Sequence, residues 1–227
     1  MGNSMPETPS PSHPHGAPSF TVEEEAGKQF QSLLHTHMEE AFIRQGDSAF
    51  EMTKPAACLQ EAGHCIVYAA MGFSVSAVRV WRDPASGNWR GETASDAIWA
   101  VSPETPAEDD LRQVKCLMAG ALSENLFAPK TYRAGTALDK LTAAQLIVAG
   151  IATKQSRPPK EVWESAAGDV NAILRANSEA VRKLFIVLER ERRVKGQRLA
   201  ALLAGLLSPP DREASETESA SIPTESA

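Results

Sequence analysis

The sequence predicts a mainly α domain carrying a small β-hairpin or edge sheet. Three observations support this. Apolar residues recur at three- and four-residue spacing through five stretches, residues near 75 alternate apolar and polar, and both ends lack bulky apolar side chains.

Residues 1–20, "MGNSMPETPSPSHPHGAPSF", are rich in Pro, Ser and Gly and predict a disordered leader. Thr21 and Glu24 then form a capping-box signature, and Phe30, Leu33, Leu34, Met38 and Phe42 follow at helical spacing, so an amphipathic helix is expected over 21–46. A domain is expected over 50–207. Its first helix, 55–72, opens with Pro55, runs through Leu59, Ala62, Ile66 and Val67, and ends near Gly72. "FSVSAVRVW", the turn residues "DPASGN" and "WRGET" predict a hairpin, with 75–82 as an edge strand. Helices are expected over 107–127, 138–153 and, as one long element, 160–192, with a short closing helix after Gly196. Residues 208–227 are acidic and Ser/Thr-rich and predict a disordered tail.

The chain has 227 residues, 23 Lys plus Arg and 29 Asp plus Glu, for a formal charge of −6. No basic run interleaves with aromatics, which argues against a nucleic-acid partner. Cys58, Cys65 and Cys116 cannot all pair within one chain and include no C-x-x-C, which predicts a reduced, cytoplasmic setting. No apolar run reaches the roughly 20 residues a bilayer requires, so no membrane span is expected. The first residues also lack the pattern of a signal peptide.

The chemistry concentrates in "LQEAGHCIVYA", 59–69. In H-E-x-x-H the two His bind a metal from one helical face and the Glu acts as general base. Here Glu61 and His64 keep that spacing, while the first ligand position holds Gln60. An amide oxygen is a harder and weaker donor than imidazole nitrogen, better suited to calcium or magnesium than to zinc.

Four segments, taken in order, resemble the peptidase domain of the FtsH family, the ATP-dependent zinc metalloproteases. "QEAGHCIVYAAMG" is similar to the family's HEAGH helix, and "LMAGALSENLF" to its leucine- and glycine-rich helix, with Glu124 at that helix's Glu. "GTALDKLTAAQLI" is similar to the loop that supplies the third zinc ligand, and "ILRANSEAVRKLFIVLERERRVKGQRLAALL" to the closing helices. The resemblance covers about residues 50–207 and implies a helical, zincin-like fold. It also implies zinc as cofactor, Glu61 as water-activating base, and His64 and Asp139 as metal ligands, with Gln60 at the remaining ligand position.

The family's Asn-Asp pair falls on Leu138-Asp139 in one register and on Asp139-Lys140 in the next. Asp139 is the sole carboxylate between Glu124 and Glu161. Neither a phosphate-loop motif nor the family's membrane anchor is present in the sequence, so unfolding of substrates is expected to need a separate unfoldase.

The expectation is a stand-alone metallopeptidase-like domain, weak or inactive in proteolysis because of Gln60. Two other readings stand beside it. One is an active zinc metalloendopeptidase acting on unfolded segments or peptides. The other is a pseudo-peptidase that binds a protein or peptide by edge-strand pairing, or that assembles as a homo-oligomer.

Overall fold

The computed structural model describes residues 45–97 and 104–206. The expected leader, nearly all of the 21–46 helix and the acidic tail lie outside the described residues. What is described is mainly helical, with one small antiparallel sheet.

A 3-10 turn at Gly46–Phe50 leads into helix α1, Lys54–Ala70. The Thr53 hydroxyl accepts a hydrogen bond from the Ala56 amide at 3.3 Å, and Pro55 occupies the first turn, where a missing N–H costs nothing. Every residue from Ala56 to Tyr68 is buried, so α1 is the central element and not an amphipathic surface helix. It stops where Gly72 turns left-handed, at φ 84°.

Strands β1, Val75–Arg82, and β2, Trp89–Ser95, pair antiparallel with Val78 opposite Thr93 and Val80 opposite Gly91. The turn between them is held by Asp83, whose carboxylate accepts from the Ala85 amide and the Ser86 hydroxyl. Helix α2, Ala107–Phe127, follows, with Glu108, Asp109 and Asp110 at the positive end of its dipole. A second 3-10 turn, Ala134–Ala137, opens into α3, Leu138–Gln155.

Two expectations are corrected here. The long helix expected over 160–192 is two helices, α4 at Pro159–Ala176 and α5 at Ser178–Glu191. They part at Asn177, a buried residue whose backbone leaves helical angles at φ −108° and ψ 22°, and whose side-chain amide donates to the Ile173 carbonyl at 2.9 Å beside its own backbone amide. The expected edge strand 75–82 is central instead. A third strand, β3 at Arg193–Lys195, pairs antiparallel with β1 and puts Val194 opposite Val78, giving the order β2-β1-β3. Arg192, left-handed at φ 62°, turns the chain from α5 into β3. The closing helix α6 is Gly196–Leu203.

Two apolar clusters form the core. One joins α1 to the sheet, α4 and α5 through Ile66, Val67, Val78, Leu174, Leu184 and Leu188. The other joins α2, α3 and α4 through Met118, Val148, Ile151 and Val162. Helices α1 and α2 approach so closely that a Cβ at Gly63 would lie 2.3 Å from Ser123 Cβ, and the Ser123 hydroxyl donates to the Leu59 carbonyl at 3.0 Å. That contact sets the distance between the two helices that carry the site. No helix among the described residues is long and apolar enough to cross a membrane.

Candidate functional site

Burial of α1 on all sides takes its polar residues inside with it: Gln60 is 4% exposed, Glu61 3% and His64 1%. A buried polar group needs a partner, so the question at each is what partner it has found.

His64 lies against α2. A Cβ at Gly120 would be 2.4 Å from His64 Nε2, so only glycine leaves room for the ring. Nδ1 is 2.9 Å from the Cys116 carbonyl oxygen. Because a carbonyl can only accept, Nδ1 carries the proton and Nε2 presents its lone pair. A metal-binding histidine is oriented in the same way. Here Nε2 instead faces the Lys140 ammonium, which donates to it at 2.8 Å. Burial, and then the Lys140 charge, hold the His64 pKa well below the ordinary imidazole range, against the pull of the Cys116 carbonyl. The ring is neutral.

Glu61 points toward β2. The Thr93 hydroxyl donates to Oε2 at 2.7 Å, and Lys140 Nζ stands 3.9 Å from Oε1. A Cβ at Gly91 would lie 2.2 Å from Glu61 Cγ, so β2 passes hard against this side chain. Burial raises the Glu61 pKa above the ordinary carboxylate value, and the Lys140 charge and the Thr93 hydrogen bond oppose the rise.

Gln60 belongs to a separate network. Its Nε2 donates to Glu124 Oε2 at 2.7 Å and to Thr136 Oγ1 at 2.9 Å. The Thr136 hydroxyl spends its own proton on the Arg133 carbonyl at 2.8 Å, so both partners of the amide nitrogen are acceptors. Reversing the amide would set oxygen against oxygen, which fixes the NH2 group on this side. Glu124, fully buried, also accepts from the Arg133 backbone amide. Burial raises its pKa, and the Gln60 and Arg133 hydrogen bonds moderate that rise.

The structure therefore brings Glu61 and His64 together around one partner, places Gln60 beside them in a separate network, and leaves Asp139 out. Asp139 is exposed in the first turn of α3, and the residue that reaches the site from that turn is its neighbour, Lys140. The physical reason is angular: successive residues on a helix point about 100° apart, so only one of the pair can face α1. Zinc does not fit this donor set. The Nε2 lone pair is taken up by an ammonium, the Gln60 NH2 group is held by Glu124 and Thr136, and Asp139 points elsewhere. Among the described residues no group of three His, Cys, Asp or Glu is placed to hold a metal ion.

Lys140, Thr93 and Thr136 were not identified as site residues from sequence. The one signal for Lys140 was the second register of the loop, which sets it at the position of the family's aspartate. The cysteines do not substitute as ligands or nucleophiles. All three are fully buried, and burial pushes the thiols of Cys58 and Cys116 up to about 12. In comparisons with known proteins, no family model matches the chain and no curated protein is similar to it.

Proposed function

We propose that this chain is an FtsH-type peptidase-like domain that has exchanged its catalytic cation for a lysine, and that it binds extended polypeptide without hydrolysing it. The order of the four sequence segments supports the family reading, and one observation supports loss of catalysis. The Lys140 ammonium sits 2.8 Å from His64 Nε2 and 3.9 Å from Glu61 Oε1, between the two groups that would hold and activate a metal-bound water. An ammonium satisfies a buried imidazole and a buried carboxylate together, yet it offers no open coordination position to a water or a peptide carbonyl. The cation is covalently part of the chain. The fold is kept, the polar groups stay paired, and the hydrolytic step has no metal to run on.

The polypeptide-binding surface in this reading is the outer edge of β2. The Trp89 amide already points away from β1, donating to the Met52 carbonyl at 2.9 Å, and by strand alternation the backbone groups of Gly91 and Thr93 face the same way. No other strand pairs with that edge among the described residues. An extended segment added there would gain main-chain hydrogen bonds as a fourth strand.

The test pairs two measurements on the full chain: hydrolysis of casein with zinc supplied, and amide NMR shifts of residues 89–95 on adding reduced, unfolded casein fragments. The proposal expects no hydrolysis and shifts confined to β2 and its neighbours. Hydrolysis that disappears in Glu61→Gln would overturn it, and shifts elsewhere or none at all would remove the β2 edge as the binding surface.

A further inference from the structure

A groove of about 570 Å³ runs between the start of α1, the end of α2 and the start of α5. Leu59, Phe127, Val181 and Phe185 line it, with exposed Glu179 and Arg182 beside them. Its size falls in the range of small-molecule sites, but such sites converge a few polar groups on the ligand, whereas the polar lining here, Thr131, Ser178, Glu179 and Arg182, is all solvent-exposed and the rest is apolar. An amphipathic helix face is the ligand that such a surface fits.

We propose that the occupant is residues 21–44 of this same chain, with Phe30, Leu33, Leu34, Met38 and Phe42 turned into the groove. The place where the described fold begins favours this choice. The Gln45 side-chain amide donates to the Tyr132 carbonyl at 3.0 Å, and the adjacent Thr131 lines the groove, so the segment enters the fold at the groove's edge. One exposed apolar side chain lies in the groove and another in the turn by which the segment enters the fold. Phe127, 38% exposed, is in the lining, and Phe50, 51% exposed, sits in the turn that follows Gln45. As a helix the segment is about 36 Å long at about 1.5 Å per residue, ample to cross the groove. Its attachment also decides between this segment and a second copy of the chain. A short tether gives an effective concentration on the order of mM, far above a free partner at about 1 μM. The inference stands apart from the peptidase-like reading, since no residue of the Lys140 site takes part.

Cross-linking of the full chain tests it. The native cysteines are fully buried and do not compete for a thiol reagent. Leu34→Cys or Met38→Cys is combined with Arg182→Cys beside the groove or, as a control, with Leu146→Cys on the exposed face of α3, where the native leucine is 62% exposed. With a short bis-maleimide at about 1 μM protein, the Arg182 pairs should link within the monomer at least about tenfold faster than the Leu146 pairs, as tethered docking requires. Adding Phe30→Asp and Leu33→Asp should remove that advantage and lower the unfolding midpoint of the full chain, because a docked segment stabilises the fold it docks on. Equal rates at the two positions, no link, or links between two chains that grow with concentration would each overturn the proposal. The last result would assign the groove to a second copy.

Discussion

Replacing Lys140 with Met keeps the length of the side chain and removes its charge, so it isolates the ammonium's part in the site. Two buried acceptors lose their partner. The His64 Nε2 atom becomes an unsatisfied buried acceptor, which costs about 1–3 kcal/mol. Glu61 loses a cation 3.9 Å away, an attraction of about 4 kcal/mol at an effective dielectric near 20. The Lys140 side chain is 37% exposed, however, so solvent screening reduces that attraction to about 1 kcal/mol. The expected loss near pH 8 is therefore about 2–4 kcal/mol.

The loss should shrink at lower pH, for two reasons that act in one direction. Without the ammonium, the Glu61 carboxyl rises further above its unfolded value of 4.5. Between those two values the folded state binds more protons than the unfolded, so the variant's stability falls as pH rises and recovers as it drops. Without the ammonium, His64 is also held less far below its unfolded value of 6.5. The variant then loses less stability than the native protein as pH falls through that value. Urea unfolding of the full chain at pH 8 and pH 5 measures both midpoints, with an unchanged slope confirming that the two chains expose the same surface. A variant as stable as the native chain at pH 8, or a gap that widens at pH 5, would refute the role given to Lys140.

In the native chain, neutral buried His64 contributes stability that is lost as pH drops through about 6.5, because there the unfolded chain takes up a proton that the folded one refuses, while the raised Glu61 and Glu124 carboxyls act in the opposite direction; a His64 ring that titrates near 6.5 by NMR would contradict this. Gly120→Ala should cost about 1–3 kcal/mol through overpacking against His64, read as a lower urea midpoint, and a neutral effect would show that the ring is free to move. Gln60→His alone should not recruit zinc, since Lys140 still caps His64. Combined with Lys140→Asp it should, by calorimetric titration, and a single substitution that binds zinc as well as the pair would refute the cation exchange. In that double variant Glu61→Gln should leave zinc bound and abolish any casein hydrolysis gained, because the base is not a ligand.

Much of the fold was legible because its signals are local. The 107–127 helix, the α1 span and the hairpin follow from apolar spacing, Pro55, Gly72 and the turn residues, each acting on its own few neighbours. The break at Asn177 was not legible. The apolar stripe continues from Val170 to Leu188 without losing its period, and the interruption is a change of backbone angles at the single residue Asn177. The strand Arg193–Lys195 was missed because a three-residue element flanked by charges carries no periodicity, and pairing with β1 alone makes it a strand.

The site divides along the same line. Gln60, Glu61 and His64 share one turn of one helix, so their spacing was enough to group them. The identity of the fourth partner turned on which of two adjacent residues in α3 faces α1, a rotation set by packing between α2 and α3. Choosing the carboxylate by chemical type selected Asp139, whereas the geometry selected Lys140.

The His64 imidazole reports most directly on whether an ammonium has replaced the metal. Nitrogen-15 NMR of the full chain, histidine-labelled, distinguishes the two ring nitrogens and senses what Nε2 accepts from. The exchange predicts a neutral ring protonated at Nδ1, with Nε2 hydrogen-bonded to Lys140, and signals that do not move when one equivalent of zinc is added. In Lys140→Met the Nε2 signal alone should shift to that of an uncapped acceptor. A native Nε2 signal that moves to a metal-bound position on adding zinc, with Lys140 still in place, would contradict it.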